Sequence, residues 1–252
     1  MSGPTSPRYG LHADRYRRFR PGYPDWLFDR AAELCGERRA QAVELGAGSG
    51  QATPRILQRF ERVTAIEPDA DMAALIPADP RLTVMVSPAE TAPLPEGLDA
   101  AFSATAFHWM DAAVVGRRVA QALRPDGVFL AFGYCPFRPV GPDAAVEVLE
   151  AEHQVWAPYT DTRLSAWRPY AELIRASGAF SRLEEFAFDH EVELDPADAA
   201  GLFLTTSYAA AHARATGDEA AYLADLARRL AEATGGAKIT VRFPIEGAFA
   251  QV

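Results

Sequence analysis

Three glycines at alternating positions follow the first apolar segment of the chain and restrict what it can fold into. Gly46, Gly48 and Gly50 come directly after the apolar residues 42–45 and precede a segment with helical periodicity. Glycine adopts positive φ without steric cost and lets another group approach the backbone closely. A strand that ends in such a turn before a helix is typical of α/β proteins, which bind ligands at the carboxyl ends of their strands.

Short apolar segments alternate with amphipathic segments along much of the chain. Seven of them are predicted strands: residues 42–45, 63–66, 82–86, 100–103, 128–132, 186–194 and 239–243. Continuously apolar strands that alternate with helices indicate a parallel sheet covered on both faces. Late in the chain, the spacing predicts two helices at residues 196–213 and 218–233, before the last strand and a tail.

The chain divides into four predicted parts. Residues 1–39 form an arm and a helix, residues 40–133 form the ligand-binding core, residues 134–180 form a cap over the substrate, and residues 181–252 complete the same α/β domain. The cap assignment depends on a concentration of tryptophan, tyrosine and proline between residues 134 and 180, with helical stretches. We interpret this segment as an insertion and not as a separate domain.

Composition excludes several classes of function. The 252 residues carry a net charge of −9 and a pI near 5.1, so the surface repels phosphate backbones and we expect no nucleic-acid partner. Cys35 and Cys135 are far apart and form no CxxC motif, which argues against a metal site. No apolar segment could cross a membrane, and the start shows no signal core. We expect a cytoplasmic monomer or homodimer that acts on a small molecule.

The ligand of the glycine turn follows from what surrounds it. A dinucleotide fingerprint has a third glycine, or an alanine, where this chain has Gln51 or Thr53. An acid, Glu44, precedes the turn, and Glu67 ends the second strand. Carboxylates repel a phosphate but suit a cation and the two hydroxyls of a ribose. These features fit S-adenosylmethionine (SAM), whose demethylated product is S-adenosylhomocysteine.

At this point the sequence resembles the class I SAM-dependent methyltransferases. The glycine motif, Glu67 and the turn at residues 123–128 (LRPDGV) match that family across residues 40–133. Three further motifs are similar to its small-molecule branch, methyltransferase type 11, which includes trans-aconitate methyltransferases: residues 16–24 (YRRFRPGYP), 89–95 (AETAPLP) and 107–111 (FHWMD). That branch usually has a phenylalanine where Met110 stands, and often a polar residue where Pro88 stands. The resemblance implies a Rossmann-like, seven-stranded, mostly parallel sheet with an antiparallel C-terminal strand and a helical cap.

The resemblance also implies roles for individual residues. The arm would fold over the cofactor, and the Ala89 backbone would read the adenine edge. The expected cofactor-binding residues are Tyr16, Arg20, Glu44, Gly46, Ala47, Gly48, Gly50, Glu67, Pro68, Ala89, Glu90, Thr105 and Phe107. His108, after the fourth strand, is the catalytic candidate, as a base for a protonated nucleophile. The expected substrate-binding residues are Trp109, Trp156, Tyr159, Trp167, Ser207 and Tyr208.

The implied activity is methyl transfer to an oxygen, nitrogen or carbon atom of a small molecule, with oxygen the favoured acceptor. A secondary metabolite or a small carboxylic acid would suit the aromatic cap. Three alternatives stay open: a SAM-dependent enzyme that does not methylate, such as a cyclase; an NAD-linked oxidoreductase; and a non-catalytic SAM-binding protein.

Overall fold

One mixed sheet organises the chain. A computed structural model describes residues 13–134, 136–160 and 168–252. The first five strands run parallel: β1 (Gln41–Leu45), β2 (Arg62–Glu67), β3 (Leu82–Val86), β4 (Leu98–Ala104) and β5 (Leu123–Tyr134). Three more strands follow: β6 (Arg138–Gly141), β7 (Arg182–Leu194) and β8 (Ile239–Gln251). The strand order is β3-β2-β1-β4-β5-β8-β6, and β7 pairs with β8.

The C-terminal strand β8 is antiparallel, as expected, and it joins the rest of the sheet to the later strands. Its second half pairs with β5, its first part pairs with β6, and β7 follows its whole length. The predicted tail after residue 243 is therefore wrong, because β8 continues to Gln251. Pro244 and Gly247 have low strand propensity, but pairing of this half of β8 with β5 and β7 overrides that local preference.

The sheet has eight strands where the sequence predicted seven. The additional strand is β6, four residues within the segment predicted as a cap. It contains Pro139 and lies at the end of the path, where a residue without an N–H is tolerated. The other seven predicted strands are present, so the fold class is confirmed.

Ten helices surround the sheet in the described part of the chain. They are α1 (Ala13–Phe19), α2 (Asp25–Leu34), α3 (Thr53–Leu57), α4 (Ala70–Ala73), α5 (Ala112–Ala122), α6 (Asp143–Trp156), α7 (Tyr170–Ala176), α8 (Pro196–Phe203), α9 (Ser207–Ala215) and α10 (Glu219–Thr234). The single helix predicted at residues 196–213 is two helices. The Thr205 and Thr206 hydroxyls donate to the carbonyls of Leu202 and Phe203, at 2.5 and 2.8 Å, and such side-chain bonds compete with helix continuation.

Helices cover both faces of the sheet. On one face, Phe28 of α2 stacks on Phe102 of β4 with ring centroids 5.8 Å apart. On the other face, Val115 of α5 and Ile174 of α7 are fully buried. Helices from the segment 134–180 lie on both faces: α6 packs against α10, whereas α7 packs against α5. The role of this segment as a cap over the substrate stays a prediction. None of the described helices is long and apolar enough to cross a membrane.

Candidate functional site

The glycine turn after β1 is folded tightly against the neighbouring strand ends. Gly46, Gly48 and Gly50 have φ of +69°, +58° and +87°, values that favour glycine. A Cβ on Gly46 would lie 2.5 Å from the Cβ of Ala106, which follows β4. The N–H groups of Gly46 and Ala47 donate to the carbonyl of Ile66 at 2.8 and 3.1 Å. The turn is thus fixed between the ends of β2 and β4, where the strand order reverses direction.

Glu67 connects this turn to the end of β2. Its carboxylate accepts one hydrogen bond from the Gly48 N–H at 2.8 Å and another from the Asp69 N–H at 3.0 Å. Burial raises the pKa of Glu67, and these two backbone donors oppose the increase. A carboxylate offers about four lone-pair sites, so two acceptors remain beyond these bonds. The side chain is held rigidly and can still accept from a diol. Pro68, the next residue, is exposed.

Glu44 lies under the same turn and is 1% exposed. The Thr53 hydroxyl donates to its carboxylate at 2.6 Å. Burial raises the pKa of Glu44 to about 8; the Thr53 bond opposes this, and the nearby Glu67 adds to it. With no cation beside it, the buried Glu44 side chain is therefore mostly protonated at neutral pH. A cation bound nearby would favour the ionised form.

The end of β4 contains a strained residue. Thr105 has a φ of +57°, which costs roughly 1–2 kcal/mol for a residue with a side chain. Its N–H donates to the carbonyl of Phe132 at 2.7 Å, and its hydroxyl hydrogen-bonds the Tyr23 hydroxyl at 3.0 Å. Phe107 is fully buried and contacts Phe129 edge to face at 5.2 Å, so its side chain belongs to the core.

The segment after β3 is tied to the start of α5. Ala89 is 4% exposed. The carboxylate of Glu90 accepts from the Asp111 N–H at 2.9 Å. This hydrogen bond places Glu90 beside the loop that carries the FHWMD motif. The role of Ala89 and Glu90 toward adenine stays a prediction.

His108 pairs with a tyrosine that the sequence did not indicate. Its Nδ1 lies 2.7 Å from the hydroxyl of Tyr170, the first residue of α7. Burial lowers the pKa of His108 to about 4, so the ring is neutral at pH 7. The ring of Trp109 lies 4.7 Å away. Tyr170 is 62 residues further along the chain and matches no motif, so no sequence signal could have found it.

The N-terminal arm reaches the end of β5 through Arg20. The Nε of Arg20 donates to the Thr205 hydroxyl at 2.7 Å, and Nη1 donates to the Tyr134 hydroxyl at 2.6 Å. Its guanidinium also lies 5.0 Å from the ring centroid of Tyr16 and 4.9 Å from that of Phe137. Tyr134, Phe137 and Thr205 were missed by sequence reasoning, because each appears there as an ordinary core or loop residue.

The predicted substrate residues do not share one wall. Trp156 is fully buried; its indole N–H donates to the Tyr222 hydroxyl at 2.8 Å. Tyr208 lies 6.4 Å from Trp156 between ring centroids, and burial raises its pKa. Tyr159 is 42% exposed, and Ser207 begins α9. The structure therefore uses Trp156 for packing within the cap, while Trp109 lies beside His108. Trp167 lies outside the described residues.

Comparison with known proteins agrees with this geometry. The profile of a family described as a methyltransferase domain, type 11, matches residues 43–131. A solved structure from Anaeromyxobacter dehalogenans, described as a putative type II methyltransferase, is 30% identical. It superposes with a TM-score of 0.70 over 92% of this chain and 98% of that one.

Two curated relatives match over shorter regions. A methyltransferase of Dictyostelium discoideum, also described as putative, is 30% identical over 158 residues, 60% of each chain. An uncharacterised methyltransferase of Mycobacterium bovis is 35% identical over 125 residues, 47% of this chain and 49% of that protein. The matches span about half to three-fifths of the length of these relatives.

The fold is that of a Rossmann-like α/β protein, with the glycine turn and Glu67 at the carboxyl ends of β1 and β2. The chain belongs to the class I SAM-dependent methyltransferases. SAM is the cofactor of that class.

Proposed function

We propose that this protein transfers a methyl group from SAM to an oxygen, nitrogen or carbon atom of a small molecule, with oxygen the favoured acceptor. A secondary metabolite or a small carboxylic acid is the proposed substrate class, in keeping with the trans-aconitate methyltransferase-like motifs. The observation that carries the proposal is Glu67, a carboxylate oriented by two backbone N–H groups beside three left-handed glycines.

The residues present fit the cofactor. The remaining lone pairs of Glu67 suit the two ribose hydroxyls, and the glycines let the turn approach an adenosyl group. Glu44 supplies a second acid beneath the turn, which a sulfonium or ammonium charge would ionise. These are the residues that would hold the cofactor. Arg20, Tyr16, Ala89 and Glu90 are proposed to complete the site.

When bound, SAM supplies a methyl group that its sulfonium charge has already activated. Held by Glu67, Glu44 and the glycine turn, the cofactor would supply that methyl carbon to the acceptor atom and would keep the electron pair of its carbon–sulfur bond. The protein's contribution is alignment and the exclusion of water. Because its pKa is about 4, His108 is a weak base at pH 7. If the acceptor atom carries a proton, that proton therefore leaves by a route other than His108.

The charge of the protein bears on which partners it binds. With a net charge of −9, the surface disfavours binding to nucleic acid. We propose a cytoplasmic enzyme that acts on a small molecule as a monomer or homodimer.

Calorimetric titration with SAM, S-adenosylhomocysteine and NAD tests the proposal. We expect both adenosyl ligands to bind the wild type, and Glu67→Ala to weaken binding at least about a hundredfold, because two hydrogen bonds to a charged acceptor are lost. Glu184→Ala, which removes one carboxylate from an exposed ion pair with Arg30, is the control with an equal change of charge.

Tighter binding of NAD, or no binding of either adenosyl ligand, would contradict the proposal. If binding is as expected, a panel of small acids and phenols incubated with SAM should yield a product that is heavier by one methylene. A cyclised product would instead favour the non-methylating alternative.

A further inference from the structure

Tyr170 is held in one position from both ends. It is fully buried at the start of α7, which packs against α5, β5 and β8. Its backbone N–H lies 3.2 and 3.3 Å from the two carboxylate oxygens of Glu246 on β8. The main chain at this position is therefore anchored to the sheet, and the side chain leaves from a fixed point.

A glycine makes room for the phenol. A Cβ on Gly133, next to the end of β5, would lie 2.5 Å from the Tyr170 hydroxyl. The phenol thus passes directly against the β5 backbone and ends near the carboxyl end of β5, beside the loop after β4. There its hydroxyl meets Nδ1 of His108 at 2.7 Å, with the two rings at 79° to each other.

This contact bears on the position of the histidine proton. A neutral imidazole has one donor nitrogen and one acceptor nitrogen. A buried tyrosine hydroxyl requires an acceptor for its proton, and Nδ1 of His108 lies at the right distance. If Nδ1 accepts that proton in a hydrogen bond, the proton of the ring itself is on Nε2.

We propose that Tyr170 is a positioning residue that holds His108 in the Nε2–H tautomer, so that the ring is not the base that removes a proton from the substrate. This inference rests on the proposed function for what the site does. It narrows the substrate to a nucleophile from which His108 does not have to remove a proton before the methyl group is transferred.

The nitrogen chemical shifts of His108 test the proposal directly. The chain is labelled with ¹⁵N-histidine and saturated with S-adenosylhomocysteine. The sequence has five histidines, and the spectrum of His108→Gln identifies the signals of His108. We expect a pyridine-type shift for Nδ1 and a pyrrole-type shift for Nε2, constant between about pH 6 and 8, because the ring stays neutral there.

Tyr170→Phe removes the hydroxyl and keeps the ring. We expect the tautomer ratio of His108 to move roughly three- to tenfold toward Nδ1–H, the effect of one lost hydrogen bond. Tyr222→Phe is the matched control: it removes a hydroxyl that accepts from Trp156 elsewhere in the molecule and should leave the His108 shifts unchanged.

A pyrrole-type Nδ1 in the wild type would overturn the proposal, and this requires no variant to fold. Identical tautomer ratios in Tyr170→Phe and the wild type would also overturn it. Both outcomes can occur while S-adenosylhomocysteine binds normally, so they are distinguishable from a failure of the proposed function, in which the adenosyl ligands do not bind.

Discussion

The glycine turn and the helical cap use their chemical groups in opposite ways. At the turn, backbone groups hold the polar side chain in place: the N–H groups of Gly48 and Asp69 orient the carboxylate of Glu67. The carboxylate oxygens of Glu67 can still accept hydrogen bonds from a ligand. In the cap, aromatic side chains contact those of the C-terminal helices. Trp156 packs near Tyr208 of α9 and donates a hydrogen bond to the Tyr222 hydroxyl of α10. Aromatic residues concentrated in a segment therefore indicate a core as readily as a pocket.

The two regions differ in which contacts position their side chains. The position of the turn depends on strand pairing and on residues next to one another in the chain. The cap depends on side chains from α6, α9 and α10, which are distant in sequence. Three substitutions test this contrast, two through a loss of stability and the third through a change of stability with pH.

Trp156→Ala has the largest expected effect. The side chain is fully buried, and removing a buried tryptophan costs about 3–5 kcal/mol. Urea unfolding should show this loss, while the affinity for SAM per folded molecule stays unchanged. Tyr159→Ala, at a side chain that is 42% exposed, is the control and should cost far less. Loss of SAM affinity in folded Trp156→Ala would show that the cap and the turn are coupled.

Gly46→Ala comes second and affects the turn. Gly46 and Gly36 have nearly the same φ, +69° and +70°, but a Cβ on Gly36 meets nothing within 4 Å. Gly36→Ala therefore measures the backbone strain alone, roughly 1–2 kcal/mol. We expect Gly46→Ala to cost about 1–3 kcal/mol more, because it clashes with Ala106, and to weaken SAM binding. Equal stability of the two variants would mean that the turn can relax.

Glu44 comes third, because its effect is a dependence of stability on pH that is small for any single pH unit. Its pKa of about 8 in the folded chain lies above the value of about 4.3 for a free side chain, so the folded state binds more protons between these limits. The stability contributed by the protonated side chain is complete below the lower value and is lost as the pH rises through about 8. The free energy of unfolding should fall by up to about 1.4 kcal/mol per pH unit in that window.

Glu44→Gln should abolish this slope and leave the rest of the pH profile in place. Glu184→Gln is the control, because Arg30 lowers the pKa of Glu184, whereas burial raises that of Glu44. A slope that persists in Glu44→Gln would assign the titration to another group, with Glu67 the next to test.

The turn and the sheet around it could be predicted from the sequence. Each strand is visible as its own apolar segment, and the three glycines lie together in the chain directly after the first strand. Prediction failed mostly where neighbours distant in sequence decide the outcome. The short strand β6 and the extension of β8 depend on pairing with strands that are distant in the chain. The break at Thr205 has a local cause that apolar periodicity misses, because the hydroxyls of Thr205 and Thr206 bond carbonyls three residues earlier. The roles of individual site residues stay predictions.

Apolar periodicity and residues close in the chain were enough to predict the fold class, the glycine turn and the acids on either side of it. The packing of Trp156, the contacts of Arg20 with Tyr134 and Thr205, and the contact of His108 with Tyr170 became visible in the folded chain alone. Those contacts join residues 52 to 185 positions apart, and such pairings arise from how the helices pack on the sheet, which no local pattern encodes.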